Sequence, residues 1–187
     1  NLISDVAEGI TNISWTVYGK IAIISKSSGN ISYTYDAAGN RITKTAGGKT
    51  TLYVRDASGN VMSVYEVPSI NNIEQKELHL YGSSRLGMTL TESKPLPSAI
   101  TLASGFGPAN TRTLVRGEKL FELSNHLGNV LVTISDKKLQ IPKASPNQTQ
   151  IDHYEADVVT ATDYAPFGMQ LFGRTYNKEI SIYRYGF

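Results

Sequence analysis

The stretch YDAAGNRI at residues 35–42 contains the unit from which this chain is built. Similar phrases lie twenty residues before and after it, WTVYGKI at 15–21 and RDASGNV at 55–61. Each begins with an aromatic or polar residue, continues into a turn with a glycine near its end, and returns to an apolar residue at the start of the next strand. A fixed period of this kind is typical of repeat architectures, in which one unit buries its face only by stacking on the next. The repeat therefore predicts a protein that builds a surface or wall, not one organised around a pocket.

Alternation of period two surrounds these turns. Ile31, Tyr33 and Tyr35 fall on one face of a strand, and hydroxyl side chains fall on the other. Asp36 at the turn entry can bond the backbone two residues on, and Gly39 can take a positive φ without strain. The sequence predicts an all-β fold of tandem antiparallel hairpins. The expected strands are 31–35, 41–45, 50–55, 61–67, 77–82, 86–90, 120–124, 130–135, 158–164, 170–176 and 180–185.

Two later turns repeat the pattern. NHLGN at 125–129 has Asn125 where the earlier turns have aspartate, and Tyr164 lies four residues before Gly168, as in the earlier phrases. These residues are interpreted as structural turn residues, because their position gives each a conformational task. The residues expected to form the repeat turns are Trp15, Gly19, Tyr35, Asp36, Gly39, Asn40, Asp56, Gly59, Asn60, Asn125, Gly128, Asn129, Tyr164 and Gly168.

Two polar, proline-containing stretches interrupt the repeats. Residues 93–112 hold three prolines and residues 136–157 hold two, so both are predicted to be loop insertions. The rest is interpreted as a single segment spanning 1–187. The first residues lack an initiator Met and a basic signal region, and the last stop inside a repeat phrase. We therefore expect a fragment of a longer chain.

Composition excludes several functions. The 18 Lys and Arg nearly balance 16 Asp and Glu, which gives no electrostatic case for a nucleic acid or an acidic membrane. Cysteine is absent, which excludes disulfides and thiolate metal sites. No apolar stretch approaches 18 residues, so no membrane span is expected. The 11 Tyr and 16 Gly, with many Thr, Ile and Val, favour strands and tight turns.

The sequence contains no reactive constellation. None of His79, His126 and His153 has a second ligand at metal spacing. The carboxylates between 152 and 163 match no EF-hand loop and fit a solvated insertion better than a cation site. Neither a Gly-x-Ser-x-Gly elbow nor a phosphate loop is present. We predict no catalytic, cofactor or metal residue and no enzyme activity; a bound cation and autoproteolysis are the lesser alternatives.

The tyrosines allow two interpretations. They could form a ladder that stacks sugars or bases, or they could pair across the strands of a curved sheet. The second is favoured, since each cross-strand pair stabilises the sheet by roughly 0.2–1 kcal/mol. The residues concerned are Tyr33, Tyr35, Tyr53, Tyr65 and Tyr81.

These phrases resemble the tyrosine-aspartate (YD) repeats of Rhs proteins, in particular the core region that precedes their C-terminal cargo. The carriers are YDAAGNR at 35–41, DASGNV at 56–61, NHLGNV at 125–130 and DYAPFGM at 163–169. The closing YGF at 185–187 is similar to the run-up to the core-terminal motif of that family. The resemblance covers most of the chain outside the two insertions, and the phrasing is similar to Rhs proteins of the Bacteroidota.

The resemblance implies a spiralling β-shell that encloses a C-terminal toxin and helps deliver it in interbacterial competition. The implied partners are neighbouring repeats of the same or an adjoining chain, the toxin cargo and secretion machinery, in a secreted or cell-surface protein. The Asp-Pro-rich self-cleavage segment of the family has no counterpart here, so no cleavage residue is assigned. The alternative is a secreted or cell-surface YD-repeat module that binds glycans or a partner protein.

Overall fold

The computed structural model describes residues 1–69, 72–95, 99–101, 108–110, 114–146, 148–178, 183 and 185. Within them the chain is all-β, and the predicted fold class is confirmed. The only helical element there is a 3₁₀ turn at Pro166–Gly168, so no described helix is long and apolar enough to cross a bilayer. The strands are β1 (Ile10–Trp15), β2 (Ile21–Lys26), β3 (Ile31–Tyr35), β4 (Arg41–Ala46), β5 (Lys49–Arg55), β6 (Val61–Ser69), β7 (Asn72–Tyr81), β8 (Arg85–Pro95), β9 (Ala99–Thr101), β10 (Pro108–Asn110), β11 (Lys119–Ser124), β12 (Val130–Pro142), β13 (Ile151–Tyr164) and β14 (Gln170–Asn177).

The strands form tandem antiparallel hairpins, as the sequence predicts. The hydrogen-bonded order of the twelve main strands follows the chain, and β9 and β10 form a separate pair. β8 pairs with β11, with Gly87 opposite Phe121. The predicted insertion 93–112 begins in the last residues of β8 and contains β9 and β10, and its remaining residues lie outside the described residues.

The chain divides into two compact units. Unit one comprises Asn1–Leu78 and Thr91–Thr111, and unit two comprises His79–Leu90 and Arg112–Phe187. Unit one therefore holds β1 to β6 and most of β7, and unit two holds the first part of β8 and all of β11 to β14.

The second predicted insertion, 136–157, consists largely of strand. β12 continues to Pro142 and β13 begins at Ile151, so these strands form a hairpin longer than any other in the described chain. The ladder shifts register between Ile134 and Lys138 and then resumes. Most side chains of this outer part are exposed. Charged and polar residues are therefore tolerated on both faces, which conceals the strand alternation in the sequence.

The buried apolar core is small in each unit. Ile13 and Val64 are buried in unit one, and Met88, Leu120 and Val130 are buried in unit two. A unit with so small an apolar core depends on backbone hydrogen bonds between strands and on paired polar side chains as well as on apolar burial. The buried polar residues of the described chain are Ser63 and Glu77 in unit one and His79, Thr89, Thr133, Ser135, Asp157 and Thr160 in unit two.

Candidate functional site: repeated turns and a buried polar cluster

One five-residue turn recurs where β1, β3, β5, β11 and β13 each reverse into the following strand. The backbone N–H of its fourth residue donates to the C=O of its first, and the N–H of the first donates to the C=O of the fifth. The glycine in fourth place has a φ between 72° and 88°, a region that other residues enter only with strain. All fourteen residues expected to form the repeat turns lie in these turns or directly before them. The first residues are Thr16, Asp36, Asp56, Asn125 and Ala165, and the glycines are Gly19, Gly39, Gly59, Gly128 and Gly168.

Aspartate in first place bonds the fifth residue twice. Asp36 accepts the backbone N–H of Asn40 at 2.8 Å and the side-chain amide of Asn40 at 3.1 Å. Asp56 accepts the same two groups of Asn60 at 2.8 and 2.9 Å. The asparagine side chain, followed by its backbone N–H, lowers the pKa of each aspartate. The aspartate side chain thereby joins the first and fifth residues of the turn, in addition to the backbone hydrogen bonds.

Uncharged acceptors fill the same place in two other turns. Asn125 Oδ1 accepts the backbone N–H of Asn129 at 3.0 Å, and Thr16 Oγ1 accepts the backbone N–H of Lys20 at 3.1 Å. Ala165 has no such acceptor, and its turn is closed by backbone bonds alone. The turn therefore benefits from a hydrogen-bond acceptor in first place but does not require a negative charge there.

In two turns of unit one, the residue just before the turn connects its hairpin to the preceding one. The hydroxyl of Tyr35 donates to the C=O of Ile21 at 2.8 Å, and Arg55 Nε donates to the C=O of Arg41 at 3.2 Å. In both cases the acceptor is the residue that directly follows the preceding turn. Arg55 also donates to the C=O of Gly59 in its own turn at 2.6 Å. We call the bond from the residue before a turn to the residue after the preceding turn, as in Tyr35 to Ile21 and Arg55 to Arg41, the backward tie.

Unit two repeats the backward tie. The hydroxyl of Tyr164 donates to the C=O of Val130, which directly follows the 125–129 turn, at 3.1 Å. Burial raises the pKa of Tyr164. In the first hairpin, where no earlier turn is present, the indole N–H of Trp15 donates to the C=O of Leu2 at 2.9 Å. The aromatic residue of the sequence phrase thus acts chiefly as a long side chain with a donor at its end.

Successive turns in unit one also stack on one another. A Cβ placed on Gly59 would lie 3.3 Å from the side chain of Asn40, and one placed on Gly39 would lie 3.4 Å from Lys20 Cε. A Cβ on Gly19 would enter open space. The fifth residue of one turn therefore lies against the glycine of the next, and at Gly59 a larger residue would crowd that neighbour.

The last turn departs from the others at its third residue. Phe167 has φ 71° and ψ 15°, and it is the only described non-glycine residue with a positive φ. Pro166 in second place favours a type II turn, which requires a positive φ at the next position. The Phe167 side chain is fully exposed, so its contacts within the described chain do not offset the strain of about 1–2 kcal/mol.

A buried ion pair lies in unit two. Arg85 Nε is 3.0 Å from Glu122 Oε2, and Arg85 Nη2 is 2.6 Å from Glu122 Oε1. The Glu122 side chain is only 3% exposed. Burial alone would lower the pKa of Arg85, but the Glu122 carboxylate holds that pKa above its ordinary value. The two-point contact fixes the plane of the guanidinium group.

Two tyrosines near the end of the chain lie beside this pair. Arg85 Cζ is 4.3 Å above the ring of Tyr185, and the ring of His79 meets that ring edge to face at 5.4 Å between centroids. The ring of Tyr183 is 6.0 Å from that of Tyr185. Burial, followed by the charge of the Glu122 carboxylate, raises the pKa of Tyr183 far above its usual range.

A second buried carboxylate, Asp157, lies at the register shift between β12 and β13. Asp157 accepts the hydroxyl of Ser135 at 2.7 Å and forms an ion pair with Lys178. Burial alone would raise the pKa of Asp157, but Lys178 and Ser135 lower it below its ordinary value. These partners compensate a carboxylate that would otherwise be costly to bury.

The predicted acidic cluster does not form a single site. Asp152 and Glu155 lie 2.8 and 3.5 Å from the two ring nitrogens of His153 on the surface, and both raise the pKa of that histidine. Asp163 is paired with Arg174 at 2.8 Å. In the part of the chain that the structure describes, no group of three or more His, Asp or Glu residues is arranged to hold a metal ion.

A groove of about 200 Å³ lies on the face of β12 to β14. Its lining is neutral and carries hydroxyl and carboxamide groups. The lining residues are Val130, Thr160, Thr162, Gln170, Thr175, Asn177, Tyr183 and Tyr185.

Sequence reasoning missed two features of these sites. Arg55 occupies the place of Tyr35 in the repeat phrase, so the twenty-residue period contained the signal for its backward tie. Arg85 and Glu122 are 37 residues apart, and neither lies in a repeat phrase, so no local pattern marks their pairing.

No family model and no curated protein matches the chain. Among solved structures it is similar to chains in crystal structures of TcdB2-TccC3-TEV, at 11% identity and a TM-score of 0.38, and of TcdB2-TccC3-Cdc42, at 14% identity and a TM-score of 0.36. Each match covers 89% of this chain and 10% of the solved chain. The chain thus spans about a tenth of the length of the solved chains it matches. Membership of the Rhs family remains a prediction from the sequence phrases.

Proposed function

We propose that the chain is a wall segment of an Rhs-type YD-repeat shell that encloses a toxic C-terminal polypeptide and helps deliver it in interbacterial competition. The observation that supports this is the backward tie, in which Tyr35, Arg55 and Tyr164 each donate to the residue following the preceding turn. Because every tie reaches back to the hairpin before it, repeats add in one direction and extend a continuous wall.

The proposed role is steric and requires neither a catalytic group nor a cofactor. Continuous backbone ladders would separate the cargo from solvent and from the producing cell. Neighbouring repeats, from the same chain or an adjoining one, would cover the open edges of the sheet, since a bare edge promotes aggregation. The role places the protein outside the cell or on its surface, with secretion machinery as a further partner.

The test uses the native protein purified from its source. Intact mass and peptide mapping should show a species far longer than 187 residues, with a C-terminal domain that resists protease until the wall is unfolded. A native product that ends near Phe187, or a C-terminal domain that protease removes freely, would contradict the proposal. Co-culture with a susceptible strain then tests delivery, because killing should require the C-terminal domain.

The groove on β12 to β14 favours a second candidate function, a surface module that binds glycans. Its hydroxyl and carboxamide lining and the adjacent Tyr183 and Tyr185 are groups that bind neutral sugars by hydrogen bonds and ring contacts. Screening the protein on an array of neutral glycans tests this function. Binding that Asn177→Ala removes would support it, and an array without hits would dismiss it.

A further inference from the structure

The last described residues of the chain are held on unit two by their side chains. Tyr183 and Tyr185, here called the aromatic anchor, place their rings beside one another. They meet four side chains of unit two, here called the anchor socket. The socket consists of His79 on β7, Arg85 on β8, Glu122 on β11 and Thr133 on β12.

Each anchor ring meets a different part of the socket. Tyr185 lies under the guanidinium of Arg85 and against the edge of His79, and its hydroxyl is 3.5 Å from His79 Nε2. The buried hydroxyl of Tyr183 faces Glu122 and Thr133. The socket therefore contacts the ring of Tyr185 and the hydroxyl ends of two tyrosines spaced two residues apart.

Arg85 is oriented by a partner outside the anchor. Its guanidinium edge is occupied by the two carboxylate oxygens of Glu122, which leaves its flat face to stack on an aromatic ring. A lysine could not serve both partners in this way, because an ammonium group has neither an edge nor a face. The ion pair thus shapes a surface that is selective for an aromatic side chain.

We propose that the anchor socket is a docking site for a Tyr-x-Tyr segment and that it fastens the C-terminal segment of this chain to unit two. What this docking would do in the cell rests on the proposed function. In a shell protein that continues into a cargo, the socket would fix the point from which the cargo polypeptide departs.

Arg184 lies between the two anchor residues, so trypsin reports on the anchor directly. In the 187-residue chain, cleavage after Arg184 should be at least ten times faster in Tyr185→Ala than in wild type. Mass spectrometry measures this cleavage as the loss of residues 185–187. Arg85→Lys keeps the charge but loses the flat face, and we expect cleavage about three times faster than in wild type.

Two controls separate docking from general loosening. Tyr154→Ala removes a half-exposed tyrosine of the β12–β13 hairpin, which is not part of the socket, and it should leave cleavage after Arg184 unchanged. Cleavage after Arg55 in unit one should not accelerate in any variant. The proposal is overturned if wild type and Tyr185→Ala are cleaved after Arg184 at equal rates, or if Tyr154→Ala gives the same acceleration.

A second measurement adds the segment in trans. A synthetic peptide of residues 182–187 should bind the full chain carrying Tyr183→Ala and Tyr185→Ala, and Arg85→Lys in that background should weaken its binding at least threefold. Absence of binding at millimolar peptide would also overturn the proposal. These results concern only the chain and its own segment, so failure to find a cargo would remove the proposed function without changing them.

Discussion

Replacing the three evenly spaced glycines of unit one by alanine, one at a time, separates two destabilising effects. One is left-handed backbone strain, and the other is crowding of the neighbouring turn. Gly19, Gly39 and Gly59 have φ of 72°, 82° and 88°, so each alanine would be held in the left-handed region at about 1–2 kcal/mol. The less flexible unfolded chain offsets about 0.4–1 kcal/mol of this. The shared cost is therefore about 1 kcal/mol of unfolding free energy in each variant.

The second cost differs between the three positions because their surroundings differ. A Cβ at position 59 would crowd the Asn40 side chain at 3.3 Å, and that side chain is held in place by Asp36. At position 39 the neighbour is the flexible end of Lys20, and at position 19 the space is open. Forcing Asn40 off its rotamer adds about 0.5–1 kcal/mol. We expect Gly59→Ala to be the most destabilising, with the other two variants close together.

Urea unfolding of the four proteins, fitted with a common slope, measures these differences. The matched control is Asn40→Ala, which removes the crowded side chain and should abolish the extra cost of Gly59→Ala in a double-mutant cycle. Equal losses in all three variants would refute stacking of the turns. An unchanged stability in Gly19→Ala would refute the argument from left-handed strain.

Three further changes test other parts of the structure. Gly87→Ala would place a Cβ 1.9 Å from the C=O of Leu120, so we expect urea unfolding to show a loss of about 3 kcal/mol; a loss below about 1 kcal/mol would contradict the close β8–β11 approach. The pKa of Asp157 is lowered in the folded protein, so its stabilisation is full above its unfolded value and is lost as pH falls below about 4. Asp157→Asn should therefore be less stable at pH 7 and show a weaker decline in stability between pH 5 and pH 3, and a parallel decline would refute this role. Phe167→Gly relieves left-handed strain without removing a buried side chain, so calorimetry should show a gain of about 0.5–1 kcal/mol, whereas a lower melting temperature would show that Phe167 contributes contacts.

The turns could be predicted from sequence because their determinants are local. A glycine in fourth place and an acceptor in first place act within five residues. The pattern seen at Asp36 and Gly39 therefore predicts the same turn at any other place in the sequence. The Tyr33 ring was expected to pair with another aromatic residue across the strands. In the structure it lies 4.5 Å below the guanidinium of Arg41. That pairing depends on strand register, which composition does not specify.

The anchor socket and the long hairpin could not be predicted for a different reason. The socket joins side chains from four strands, and Arg85 meets Glu122 only because β8 pairs with β11 across the 93–112 stretch. The outer part of the β12–β13 hairpin has no buried face, so it lacks the alternation by which strands are recognised. Non-local pairing and two-sided exposure both leave a strand without a local sequence signature.

The backward tie explains why the repeat phrase is strict at one position and variable at another. The fourth place favours glycine in every turn because of its positive φ, and at Gly59 the neighbouring Asn40 side chain adds to that preference. The place before the turn needs only a donor that reaches the C=O of a residue 14 positions earlier, and Tyr35 and Arg55 both satisfy this. The acceptor is a backbone carbonyl, which every residue supplies. A repeat can therefore bind its predecessor whatever the side chains of that predecessor are, and this allows tandem hairpins to follow one another while their surface residues vary.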